Sequence, residues 1–211
     1  MTSFGQNIGG SPYFNINSTY TDSKGVPVAN SVTLKGSYTY PGGSTSLSDA
    51  GVASVVSSSI SGGHLPADPN GVYFVLTSPE VNETSGFCTQ YCGWHTHATM
   101  NGMDVKYSFV GNPARCPSEC SAQSTSPNGD LGADAAASIL AHELEETATD
   151  PDLNAWYDSS GNENGDKCAW NFGTVKTAPN GSKYNVTLGG KEFLIQQNWL
   201  ATTNVCALQY P

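Results

Sequence analysis

His142 and Glu146 stand four residues apart in AHELEETATDP, residues 141–151. On a helix of about 3.6 residues per turn they project from one face a turn apart, close enough to share one ion. Glu143 follows the histidine at once, the place of the general-base glutamate in zinc peptidases of the H-E-x-x-H type, where it takes a proton from metal-activated water. Here glutamate stands where the second histidine would be. Zinc accepts carboxylate oxygen as well as imidazole nitrogen, so the pattern keeps its chemistry with less specificity. The bland alternative is a solvated acidic helix face on which His142 makes an ordinary helical ion pair.

Charge argues for an ion. Between Arg115 and Lys167 the only basic side chain is His142, against eleven Asp or Glu residues, five of them from Glu143 to Asp152. The residues leading to His142 are small and apolar, which predicts that the helix enters the core, where unpaired carboxylates are costly. A divalent cation would compensate them.

Further ligands must come from elsewhere. The segment DPDLNAWYDSSGNENGD (150–166) starts like a calcium loop with Asp150, Asp152 and Asn154, but Ala155 replaces the turn glycine and Gly161 the bidentate glutamate. Its tail is the better source. The pattern resembles gluzincin peptidases, in which a later glutamate is the third ligand and an aspartate soon after it orients the first histidine; Glu163 would be that ligand and Asp166 that orienter, or the two exchange roles, with Asp158 a weaker candidate. In CGWHTH, His95 and His97 would share one face of a strand. They either supply the imidazole that the helix lacks, contact a substrate, or are held in a loop by nearby cysteines. His95 is the pocket candidate, His97 reads as a surface residue and His64 as a loop residue.

The elements that would position these groups follow from periodicity. VPVANSVTLKGSYTY (26–40) alternates like a strand or hairpin, and residues 47–61 carry Val52, Val55, Val56 and Ile60 at helical spacing before a Gly-Gly stop. GVYFVLTSP and VKYSFVGNP read as core strands, and KYNVTLGG and KEFLIQQNWL as further extended segments. The site helix spans about 132–149, with Ala136, Ala137, Leu140, Leu144 and Ala148 on its apolar face. No linker or repeat divides the chain, so one domain over 1–211 is expected.

Eighteen acidic residues against eight basic ones give a net charge of −10, which disfavours nucleic acid and anionic membrane surfaces as partners. MTSFGQNIGG lacks the charged and apolar stretches of a secretory leader, so a leader is expected to be missing from this chain. Six cysteines form an even set. The close C-x-x-x-C pairs predict local bridges Cys88–Cys92 and Cys116–Cys120, leaving Cys168–Cys206 as the long staple. A four-cysteine zinc site is the rival, disfavoured by the spacing. Sequons at Asn17, Asn82, Asn180 and Asn185 fit a secreted glycoprotein.

The blocks GVYFVLTSPEV, GFCTQYCGWH, FVGNPARCPSEC, PNGDLGAD, AHELEETATDPDLNAWYD and NENGDKC, in this order, resemble the EXORDIUM or phosphate-induced-protein family of secreted plant cell-wall proteins and their microbial relatives. The resemblance runs from about Ser11 onward, and near the site helix it is closer to the microbial relatives. Family stretches of the His-Glu-Leu-x-Glu, Asn-Ala-Trp-Tyr and Glu-x-x-Asp-x-Cys kinds fall on His142, Glu143, Glu146, Asn154 to Tyr157, Glu163, Asp166 and Cys168. It implies an apoplastic or cell-wall location.

The expectation is thus an α/β (α+β) fold of zincin-like type: a mixed sheet, a central helix bearing the site, and disulfide staples. The leading function is a secreted metal-dependent hydrolase resembling zinc peptidases. His142, Glu146 and Glu163 or Asp166 would hold Zn²⁺, with Ca²⁺ as the alternative ion; Glu143 would be the general base and the substrate a peptide or cell-wall polymer. The alternative function is a non-catalytic cell-wall or signalling protein with a structural cation. Trp94, Trp156, Trp170, Trp199 and ten tyrosines leave carbohydrate binding as a third reading.

Overall fold

A computed structural model describes residues 1–211. The chain opens with a short helix α1 (Thr2–Asn7) and a 3-10 segment, Phe14–Thr19, that bury Phe4, Phe14 and Ile16. A long irregular stretch then leads to β1 (Ser46–Leu47), helix α2 (Asp49–Ser61), β2 (Val72–Leu76) and β3 (Asn82–Glu83). Strands β4 (Gly93–Met100) and β5 (Met103–Val110) form a hairpin, and the short α3 (Pro117–Cys120) precedes the central helix α4 (Leu131–Thr149). Three small hairpins finish the chain: β6 (Lys176–Thr177) with β7 (Lys183–Tyr184), β8 (Val186–Leu188) with β9 (Lys191–Phe193), and β10 (Asn198–Leu200) with β11 (Val205–Ala207).

The main sheet is mixed, in the order β2-β5-β4, with β2 parallel and β4 antiparallel to β5. Side chains alternate across a strand, so β5 sends Val105, Tyr107 and Phe109 into a core with Val52 and Val56 of α2, whereas Val110 joins Ile139, Leu140 and Leu144 of α4. The sheet therefore lies between two helices, and α4 is buried on nearly every side because the N-terminal segment and the last hairpins cover its outer faces. Asp130 starts α4 by accepting a hydrogen bond from the Ala133 N–H at 3.0 Å. Asp150 ends it, accepting from the Asn154 and Ala155 N–H groups at 2.7 Å each.

Two expectations fail. Residues 26–40 form no strand beyond one bridge between Thr21 and Pro27. Val32 instead packs on the chain just after α1, so closely that a Cβ on Gly9 would lie 2.0 Å from its carbonyl oxygen. The cysteines pair as Cys88–Cys116 and Cys92–Cys120, replacing the expected Cys88–Cys92 and Cys116–Cys120; only Cys168–Cys206 matches. Residues four apart on a helical turn point the same way, so Cys116 and Cys120, flanking α3, present both sulfurs to the facing loop rather than to each other. The result is two parallel rungs between residues 88–92 and 116–120, with Cα separations of 5.7 and 5.5 Å. All six cysteines are oxidised.

Candidate metal centre

Strand β4 and helix α4 pack directly, and Gly93 permits it: a Cβ there would sit 2.7 Å from Ile139 Cγ2 and 2.9 Å from Glu143 Oε1. Two residues on, His95 faces the same side and is buried. Its Nε2 lies 3.1 Å from Glu163 Oε2 and 3.9 Å from Glu146 Oε2. The other oxygen of Glu146 is 3.1 Å from His142 Nε2, whose second neighbour is Asp166 Oδ1 at 3.6 Å. Two imidazoles from different elements thus aim Nε2 at opposite oxygens of one buried carboxylate, and Glu163 and Asp166 close the flanks.

The loop carrying Glu163 and Asp166 is fastened to α4. Asn164, fully buried, donates to the Glu145 carbonyl at 3.2 Å, and the Asp166 N–H donates to Glu146 Oε1 at 3.0 Å. Gly165 between them lets the loop approach, since a Cβ would stand 2.9 Å from Glu146 Oε1 and 3.0 Å from His142 Nδ1.

Burial, the largest influence on His95, lowers its pKa, but Glu163, Glu143 and Glu146 together hold it above the ordinary histidine value. His142 is held well above that value in the same way, burial being outweighed by Glu146 and Asp166. Burial and the charge of Glu146 push Glu143 up to about 8. Burial also raises Glu163, whereas the hydrogen bond to His142 lowers Asp166. Four carboxylates thus confront two imidazoles, and even with both imidazoles charged the group is short of positive charge. The donor set fits a divalent cation: His95, Glu146 and Glu163 have ligand atoms within 4.8 Å of one another, as do His142, Glu146 and Asp166. Two imidazole nitrogens suit Zn²⁺ better than Ca²⁺, which favours oxygen throughout.

Glu143 belongs to neither trio. With His142 and Asp166 it lines a cleft of about 320 Å³ whose other walls include Tyr91, Glu119 and Trp170, while His95, Glu146 and Glu163 lie behind.

The remaining charge near α4 has structural work. Glu145 points to the opposite side and accepts from Asn198 at 2.7 Å. Asp152 pairs with Lys106 at 3.2 Å and lies 3.7 Å from His97 Nδ1, in a surface cluster completed by Asp104. Asp158 is no ligand: it turns its own loop and pairs with Lys167 at 3.1 Å, and those hydrogen bonds lower it to about 2. His64 stacks on Tyr38. Trp94, Trp156 and Trp199 pack against Phe109, Tyr20 and Lys167, which leaves Trp170 as the tryptophan that faces the cleft. The part of the arrangement that sequence spacing leaves open is the joint use of Glu163, Asp166 and His95; the shared face of His95 and His97 on β4 was the available signal. Among the sequons, Asn17 is fully buried, and the Asn185 amide donates to Phe172 and Ile195 carbonyls.

Comparisons with known proteins identify the family. Residues 6–209 match the phosphate-induced protein 1 conserved region. Protein EXORDIUM-like 5 of Arabidopsis thaliana is 31% identical over 225 residues, covering 90% of this chain and 61% of that protein. Protein EXORDIUM-like 3 of the same plant is 32% identical over 221 residues, covering 89% of this chain and 65% of that protein. The chain therefore spans less than two thirds of the length of these relatives. No solved structure matches it. With nearly its whole length inside the conserved region, the chain belongs to the phosphate-induced protein 1 family, together with the EXORDIUM-like proteins.

Proposed function

We propose that this chain is a secreted, zinc-dependent hydrolase of zincin-like design. The observation that supports the reading most is the division of labour on α4: Glu146 is buried between two imidazoles, and Glu143, three residues earlier, faces an open cleft. His95 with Glu146 and Glu163, or His142 with Glu146 and Asp166, would hold the ion. Zinc, when bound there, activates water and polarises a carbonyl. Glu143, with its affinity for protons raised toward neutrality, takes the proton from the attacking water and passes it to the leaving group. Asp166 orients His142, and Gly93 and Gly165 let strand and loop come close enough for the donors to meet. The cleft admits an extended substrate, such as a peptide or a segment of cell-wall polymer. Three disulfides and no free thiol support an extracellular location, and no helix is long and apolar enough to cross a membrane.

A second reading rests on donor number. The donors of the two trios around Glu146 come from three segments, and a shell closed by them would make the ion structural in a non-catalytic protein. Two variants separate the readings. Glu146→Gln loses bound zinc and stability under both. Glu143→Gln keeps zinc and stability, and under the hydrolase reading cuts turnover of a peptide or glycan library by about a hundredfold or more. Full metal loading with no turnover by the wild-type protein on either library rejects the hydrolase and leaves the structural ion. Loss of zinc from Glu143→Gln would make Glu143 a ligand.

A further inference from the structure

The cleft in front of the centre is unequally furnished. Its lining includes three carboxylates, Glu119, Glu143 and Asp166, and two aromatic rings, Tyr91 and Trp170, but no lysine or arginine. Glu143 and Asp166 belong to the centre. Glu119 does not: it is exposed, on the short helix that the Cys92–Cys120 rung holds against the opposite loop, and it makes no ion pair. Trp170 is the more unusual wall. Its φ of 59° is a left-handed conformation that bulky side chains rarely adopt, and its indole is left largely open to solvent. The backbone is fixed in that state by the Cys168–Cys206 bridge two residues before it and by its own N–H, which donates to Gln196 Oε1 at 2.6 Å. Strain of this kind persists where surrounding structure over-determines it, and it gathers at sites that bind.

From this we infer that the cleft selects a cationic side chain, lysine or arginine, in an extended peptide, with the charged head received by Glu119 and the face of Trp170. An indole face attracts ammonium and guanidinium groups, and an acidic cleft on a protein of net charge −10 concentrates cations. Trp170 and Ile139 also line a small pocket of about 20 Å³ beside the first half of α4. The inference deepens the hydrolase reading and rests on the cleft being the approach to the proposed centre.

Binding is read without turnover. The indole N–H resonances of the four tryptophans are assigned with Trp170→Phe, and the protein is titrated with acetyl-Ala-Lys-Ala-amide, its norleucine counterpart and cellotetraose, with zinc content measured on the same samples. The lysine peptide is expected to move the Trp170 signal alone, the norleucine peptide to leave it in place at the same concentration, and Trp170→Ala and Glu119→Gln each to weaken binding about tenfold. Glu119→Gln changes an exposed side chain, so the test survives if Trp170→Ala folds poorly. Equal shifts from the lysine and norleucine peptides would show an apolar pocket and overturn the inference. So would a response to cellotetraose alone, or a Trp170 signal that none of the three moves. Failure of the hydrolase reading looks different: absent zinc or absent turnover, whichever peptide binds.

Discussion

Gly165→Ala puts the packing of the centre to a sharp test. Gly165 is buried with φ −69° and ψ −46°, a helical conformation that alanine adopts freely. On backbone grounds alone the change should stabilise by about 0.4–1 kcal/mol, through the unfolded chain. The surroundings reverse the sign. The new methyl would meet Glu146 Oε1 at 2.9 Å, His142 Nδ1 at 3.0 Å and His142 Cε1 at 3.1 Å, inside the roughly 3.5–4.0 Å at which carbon contacts become attractive. Neither neighbour yields easily, because Glu146 Oε1 also accepts from the Asp166 N–H and contacts His142 Nε2. Overpacking of this kind costs about 1–3 kcal/mol, which leaves a net loss of about 1–2 kcal/mol. For a chain of this size that lowers the melting temperature by about 2–8 °C. Displaced ligands should also weaken zinc binding by about tenfold or more. Calorimetry and a competitive zinc titration read both effects, with Gly43→Ala, whose methyl meets nothing within 4 Å, as the control that can show only the backbone gain. A Gly165→Ala protein that melts at or above the wild type and binds zinc as tightly would show that Glu146 and His142 are not held as described.

Peptide mapping without reduction should find Cys88 joined to Cys116 and Cys92 to Cys120; fragments joined through Cys88–Cys92 would contradict the rungs. Replacing Cys168 and Cys206 together by alanine frees a crosslink of 38-residue span and should lower stability by about 4 kcal/mol in urea denaturation. Burial holds the Glu145 carboxyl well above the ordinary carboxylate range, so the unfolded chain ionises first. Its contribution is complete below about pH 4.3 and is lost as pH rises toward the raised folded value. Glu145→Gln should therefore gain stability relative to the wild type as pH increases from about 5 to 8, and a difference that does not change with pH would refute this. Expressed through a eukaryotic secretory route, the chain should carry no glycan at Asn17, which mass spectrometry of tryptic glycopeptides checks.

The helix and half of its site were legible because their information is local. The spacing of His142 and Glu146, the small residues before them and Pro151 after them fix α4 with no reference to the rest of the chain. Strands β2 and β5 were legible as short apolar runs, and Glu163 and Asp166 were singled out by their likeness to the later glutamate and aspartate of gluzincin peptidases. What failed depended on partners. Alternation in residues 26–40 looks the same whether the segment joins a ladder or lies against an irregular stretch, as Val32 does on Gly9. The cysteine pairing turned on which way sulfurs point from a helical turn, and closeness in sequence argued the opposite. His95 was read as the pocket candidate and His97 as a surface residue, and what separates them is where α4 crosses β4, which the strand glycine Gly93 allows.

The central claim is that Glu146, set between His95 and His142, is a ligand of a metal ion. An anomalous difference map, recorded at the zinc absorption edge from crystals of protein supplied with one equivalent of zinc, tests it most directly. The account predicts an ordered peak about 2.0–2.2 Å from the Glu146 carboxylate and from the Nε2 of His95 or of His142. No ordered peak there, or a peak bound only at the surface cluster of His97, Asp104 and Asp152, would contradict it.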